Sequence, residues 1–141
     1  MKRIARPGLA LGLALLAGCL GTSSSFDRHY PVDPLAEEPT PSRTQILKIV
    51  QDVAIRRGYI YMPSTNEDIA AAYSWHSGNL SVYLTVKTNA AESAYTFQVF
   101  SWPSYFLNSE AKALIKQLKA ELPASTGKVR YTVTTKPPQR P

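Results

Sequence analysis

Three groups of residues in this chain have side chains suited to chemistry: Cys19, His76, and the adjacent pair Glu67 and Asp68. Successive residues of a strand point to opposite faces, so shared acid and base catalysis by Glu67 and Asp68 requires an irregular backbone. No serine or aspartate pattern in the sequence marks His76 as a catalytic base. Cys19 is the only cysteine, which argues against a disulfide framework. Covalent modification of Cys19 is therefore the most specific chemistry to consider.

The residues before Cys19 follow the pattern of an export signal. Lys2, Arg3 and Arg6 form a positive end, and an uncharged, mostly apolar run follows over residues 7–17. This run is too short to span a bilayer, which needs about 20 residues. The sequence therefore predicts a signal peptide over residues 1–18.

The motif Leu16-Ala17-Gly18-Cys19 resembles the lipobox of bacterial lipoproteins. The resemblance implies that the Cys19 thiol receives a diacylglycerol, that cleavage occurs before Cys19, and that the new amino group is acylated. Several acyl chains anchor a protein stably, at about 0.8 kcal/mol per buried methylene. By the sorting rules of that family, Leu20 in place of aspartate implies the outer membrane, with the domain facing the periplasm. The resemblance covers only these first residues and implies no fold.

Composition divides the rest of the chain. Loss of residues 1–18 removes three bases and leaves 13 basic and 10 acidic residues, so the net charge falls from +6 to +3.

Serine-rich chain is flexible and proline-rich chain is extended, so residues 19–41 are interpreted as a tether. When stretched, it would hold a domain roughly 60 Å from the bilayer. A domain is predicted over residues 42–135, and the basic, proline-rich residues 136–141 are expected to be disordered.

Two helices and four strands are predicted within that domain. Ser42 and Gln45 have capping-box spacing before the first helix, which Gly58 ends. Asn108 or Ser109 begins the second helix, and Pro123 ends it. Residues with a period of two predict strands at 69–76, 80–87, 95–100 and 128–135. The apolar stripes of the helices are Ile46, Ile49, Val50, Val53 and Ala54 in the first, and Ala111, Leu114, Ile115, Leu118 and Leu122 in the second.

These elements predict an α+β fold, a small two-layer sandwich. Each helix has one apolar stripe and each strand one apolar face, so two helices should cover one face of a four-stranded, mostly antiparallel sheet. The expected order is α-β-β-β-α-β. The first three strands form a meander, and the second helix crosses over to bring the last strand parallel to the third.

The uncovered sheet face is the most informative surface, because it is predicted to mix rings with cations. Its candidate partner-binding residues are His76, Tyr83, Lys87, Phe100, Lys128 and Arg130. The alternative is that exposed rings only pair across strands and stabilise the sheet. Trp75 and Trp102 are interpreted as core or strand-end residues.

The leading hypothesis is a lipid-anchored envelope accessory or scaffold protein that binds another envelope protein. The alternative is direct binding of an anionic envelope component, lipopolysaccharide or peptidoglycan. A hydrolytic enzyme would need a pocket that gathers His76 or Glu67 with other polar groups. No phosphate loop, nucleophile elbow or paired metal-ligand spacing is present in the sequence, so we expect no enzyme activity, cofactor or metal. We also expect no nucleic-acid partner, because an exported domain rarely meets one.

Overall fold

The computed structural model describes residues 21–32, 35, 37, 39–89, 93–103 and 106–126. The predicted signal peptide and Cys19 lie outside this part of the chain. The elements, in order, are β1 (Thr22–His29), α1 (Arg43–Arg56), β2 (Ile60–Tyr61), β3 (Ile69–Ser77), β4 (Leu80–Asn89), β5 (Ala94–Trp102) and α2 (Ser109–Glu121).

The strands form one antiparallel sheet in the order β1-β5-β4-β3-β2. The α+β class is confirmed, and so is the meander, which here is β3, β4 and β5. The register pairs Ser77 with Leu80 at the β3 to β4 turn, where Gly78 has a φ of 60°. β4 and β5 are joined across residues 81–89 and 94–102, which makes β4 the central strand.

The prediction of a tether over residues 19–41 is wrong for residues 22–30. Residues 22–29 form β1 and pair with β5 along their whole length, from Thr22 opposite Ser101 to His29 opposite Ala94. Tyr30 follows at 1% exposure, as part of the core. The folded domain therefore includes residues 22–30, which precede the boundary predicted at residue 42.

β1 forms a strand because of its pairing with β5 and not because of its own sequence. Its serines have weak strand propensity, but β5 provides a full ladder of backbone hydrogen bonds. Phe26 stacks on Phe97 of β5, and the ammonium of Lys119 in α2 lies 5.3 Å from the Phe26 ring centroid. The packing of Phe26 and the pairing with the edge of β5 therefore make these residues a strand, although their composition is typical of a linker.

The predicted four-strand count and the predicted element order are also wrong. The sheet has five described strands, and β1 and β2 were not predicted. The predicted strand at residues 128–135 lies outside the described residues, as do Lys128, Arg130 and residues 136–141. The third predicted strand is β5. Since β4 and β1 pair with its two edges, neither edge is open to the parallel strand that was predicted there.

Both helices begin as predicted. Ser42 and Gln45 make the complete capping box of α1, with side-chain to backbone hydrogen bonds of 3.2 and 2.8 Å. The Oδ1 atom of Asn108 accepts from the Ala111 amide at 2.8 Å and caps α2. Gly58 ends the turn after α1 with a φ of 82°. A glycine suits this position because a residue with a side chain is strained in that conformation.

The core lies between the helices and one face of the sheet. The apolar stripes of both helices pack there, with Ile49 and Ile115 at the margins. Val82, Leu84 and Val86 of β4 meet them, together with Phe97 and Val99 of β5. The opposite sheet face carries no described helix and is called the open face below.

Candidate functional site

The open face carries every second residue of the paired strands. Residues directly opposite in an antiparallel pair share a face, so the register assigns each side chain to one side. Tyr83 pairs with Phe100, Lys87 with Thr96, and His76 with Ser81. The structure therefore places the predicted residues His76, Tyr83, Lys87 and Phe100 on the open face. Lys128, Arg130 and Cys19 lie outside the described residues.

Three rings form a row across the middle strands of this face. The rings of His76 and Tyr83 meet edge to face, with centroids 5.7 Å apart. Tyr83 and Phe100 lie 6.2 Å apart at 37°. Trp102 follows two positions after Phe100 on the same face and is 36% exposed. We call His76, Tyr83, Phe100 and Trp102 the aromatic cluster.

Small residues lie next to these rings. Ser74 pairs with Tyr83, and Ser81 with both His76 and Trp102. Ser74 and Ser81 are buried on an otherwise open face, at 7% and 8% exposure. Large rings next to small side chains give the cluster a packed base while the outer faces of the rings stay accessible.

Gly21 supports the same cluster from beside β5. A Cβ atom built on Gly21 would lie 2.9 Å from the carbonyl oxygen of Ser101 and would overlap the ring of Phe100. The ring of Phe100 therefore occupies space that any other residue at position 21 would fill. A glycine immediately before β1 lets Phe100 lie against the backbone.

The other half of the open face is polar. Thr85 pairs with Gln98 and Lys87 with Thr96, and the Oγ1 atom of Thr96 donates to Asp27 at 2.7 Å. Asp27 and Lys87 bring one acid and one base to the described strands of this face. The surface thus changes from aromatic to polar along the strand direction.

The closest approach to a catalytic arrangement is the 2.8 Å hydrogen bond between Nδ1 of His76 and Oγ of Ser81. A nucleophile and its base need a third group that orients the base. Among the described residues, no carboxylate has a hydrogen bond to His76. Glu67 and Asp68 precede β3, at the end of the sheet opposite His76. The hydrogen bond fixes the imidazole within the aromatic cluster.

Two concave sites on the described surface lie elsewhere. One is bordered by α1 and the end of α2, and its lining includes Ile55 and Glu121. The other lies beside Tyr30 and Pro41. Neither includes His76 or Glu67. No group of three or more histidine, cysteine, aspartate or glutamate side chains within the described ranges is placed to hold a metal ion.

Two buried tyrosines of the core, Tyr30 and Tyr59, have raised pKa values. Burial raises the pKa of Tyr30 to about 12, and its hydroxyl donates to the carbonyl oxygen of Pro123 at 2.6 Å. Burial also raises the pKa of Tyr59 and, next to it in importance, the charge of Glu110 does the same. Both phenols stay neutral around pH 7, so they contribute packing rather than charge, and Tyr30 adds its hydrogen bond to Pro123.

Sequence reasoning missed several features of the site. The predicted strands at 69–76 and 80–87 leave a turn at residues 77–79, which brings Ser81 opposite His76. The hydrogen bond between these two side chains was not predicted. Trp102 was interpreted as a core or strand-end residue, and it is both the last residue of β5 and a member of the aromatic cluster. The role of Gly21 had no signal, because β1 itself was not predicted.

Neither described helix combines the length and apolar character needed to cross a bilayer. Comparisons with protein-family models and with curated proteins found no match to this chain.

Proposed function

We propose that this chain is a lipid-anchored accessory or scaffold protein of the bacterial cell envelope, which binds another envelope protein through the open face. The observation that carries the binding part is the row of His76, Tyr83 and Phe100 across three strands, uncovered by either helix. The anchor is Cys19, on its resemblance to a lipobox. We place the protein at the outer membrane, with its domain facing the periplasm.

The chemistry of the open face favours a protein partner. Protein interfaces are enriched in aromatic residues at the centre and polar residues at the rim. The open face has the same arrangement, because the hydrogen-bonding side chains of Thr85 and Gln98 lie beside the aromatic cluster. The row is also pre-organised, because Ser81 hydrogen-bonds to His76 and Gly21 leaves room for the Phe100 ring against the backbone before any partner arrives.

The second candidate, an anionic envelope component, has less support from the described strands. Lys87 is balanced there by Asp27, whereas binding of a polyanion needs a concentration of positive charge. Sedimentation with purified cell wall and salt-sensitive binding to lipopolysaccharide separate this candidate from the first. Binding in either assay, without any protein cross-link from the open face, would favour it.

Site-specific photocross-linking tests the proposed function in living cells. A photoreactive amino acid replaces Lys87, an exposed residue of the open face, in the full chain. A matched variant carries it at Lys112, an exposed lysine of α2 on the other side of the domain. We expect one defined envelope protein to cross-link at Lys87 and not at Lys112. Equal products at both positions, or none at Lys87, would contradict the proposal.

A further inference from the structure

The start of β1 lies very close to the proposed anchor. Thr22, the first residue of β1, follows Cys19 by three residues. Three residues span at most about 10 Å, even fully extended. If Cys19 carries a lipid, the edge of the sheet at Thr22 is held within that distance of the headgroups. The roughly 60 Å separation expected from a tether is not available.

The register shows which other residues share this end. Thr22 pairs with Ser101, Ser101 with Val82, and Val82 with Trp75. The turn at residues 77–80 and Pro103, which follows β5, therefore lie at the same end as the start of β1. We call this the anchor end of the sheet. Its opposite end carries His29, Asn89 and Ala94.

Formal charge is absent from the anchor end of the strands and present at the other. The chain at the anchor end, residues 21–26, 75–86 and 98–109, includes no aspartate, glutamate, lysine or arginine, and the first charged residue after it, Glu110, is paired with Arg57. The charged residues of β1 and β4 are Asp27, Arg28 and Lys87, and all three lie toward the opposite end. A surface that approaches lipid avoids the cost of removing charges from water.

Apolar side chains are exposed at the anchor end. Leu80 and Trp102 are each 36% exposed, and Phe106, in the segment between β5 and α2, is 77% exposed. Tryptophan is favoured at membrane interfaces because its ring is apolar and its indole nitrogen is a hydrogen-bond donor. The end of the sheet nearest Cys19 thus has the composition of an interfacial surface.

We infer that the anchor end of the domain rests directly on the lipid bilayer, with Leu80, Trp102 and Phe106 at the headgroup boundary. This inference depends on the proposed lipid at Cys19. The strands then stand away from the membrane, and the open face is presented sideways. A partner bound there has to lie against the same membrane, so it is either embedded in that membrane or seated on it.

Depth-dependent fluorescence quenching tests the inference on the acylated, full-length protein. Cys19 is the only native cysteine and its thiol is consumed by the lipid, so an added cysteine can be labelled selectively. Leu80→Cys and Asn79→Cys place a fluorophore at the anchor end. Val32→Cys is the matched control, because Val32 is 80% exposed and follows the opposite end of β1. The probe membranes are phosphatidylethanolamine and phosphatidylglycerol vesicles with brominated acyl chains.

We expect brominated lipid to reduce the emission at positions 79 and 80 at least twofold and to leave position 32 unchanged. Equal emission loss at all three positions, or none at any, would overturn bilayer contact by the anchor end. Mass spectrometry of the same sample distinguishes the two claims. Acylated Cys19 without quenching rejects this inference alone, whereas an unacylated, soluble chain rejects the proposed anchor.

Discussion

The ring of Phe26 in β1 stacks on the ring of Phe97 in β5, with centroids 4.9 Å apart and planes inclined by 17°. Phe97 is fully buried, and Phe26 covers it at the edge of the sheet. The contact joins the first strand to the core that the helices cover. It makes residues 22–29 part of the folding unit.

Replacement of Phe26 by alanine should lower the free energy of unfolding by about 2 kcal/mol. A fully buried phenylalanine costs more, but Phe26 is only partly buried. Denaturant unfolding measures the change. Ser25→Ala, which alters an exposed side chain of the same strand, should have little effect. Equal stability of the two variants would mean that β1 does not contribute to the fold.

Alkaline pH should destabilise the domain through Tyr30. Its pKa rises from 10.0 to about 12 on folding, so the folded state holds the phenolic proton more tightly than the unfolded state does. That contribution is complete below pH 10 and is lost as the pH rises toward 12. Thermal melts across this range should show a decline that Tyr30→Phe reduces. An unaltered decline in Tyr30→Phe would assign the effect to other groups.

At neutral pH, Tyr30→Phe should cost about 1 kcal/mol, since it removes the hydrogen bond to the carbonyl oxygen of Pro123 while keeping the ring. The measurement is the free energy of unfolding at pH 7. A variant as stable as the parent would show that this bond contributes nothing net.

Arg57 should matter more to stability than its neighbour Arg56. Arg57 makes a bidentate pair with Glu110 at 2.8 and 2.9 Å, and a third hydrogen bond to Gln117. The Arg57 side chain is 24% exposed, whereas that of Arg56, paired with Glu121, is 55% exposed. Arg57→Lys should cost about 1 kcal/mol, because an ammonium cannot reproduce the fork. Arg56→Lys should change the unfolding midpoint little, and the reverse order would refute this difference.

Cys19→Ala should move the protein from the membrane fraction to the soluble fraction, because it removes the proposed site of acylation. Fractionation and immunoblotting measure the distribution. The control is a conservative change beside it, Leu20→Ile, which should stay in the membrane fraction. Normal processing and full membrane retention of Cys19→Ala would refute the lipobox interpretation.

The sequence predicted the elements whose periodicity is local. Both helices carry a cap and an apolar stripe, and β3 to β5 alternate regularly, so their limits were placed within a few residues. β1 was missed because its strand state depends on β5, which is about 70 residues away in the chain. Its serines and the prolines after it are equally typical of a linker. β2 has only two residues, too few to show a period.

The candidate site was predicted in part for the same reason. Alternation alone assigned His76, Tyr83, Lys87 and Phe100 to the uncovered face. It could not show that Tyr83 lies between His76 and Phe100, because that arrangement requires the register of three strands. It could not show the support from Gly21 either, since that depends on the missed strand.

The central claim is that the rings of the open face hold a protein partner, and loss of the Lys87 cross-link on removal of those rings tests it most directly. Tyr83→Ser and Phe100→Ser are introduced singly into the chain with the photoreactive residue at position 87, and circular dichroism and membrane fractionation verify fold and anchoring. We predict that each change reduces the cross-linked product at least fivefold. A folded, anchored variant that cross-links the same protein at the parental yield would contradict the account.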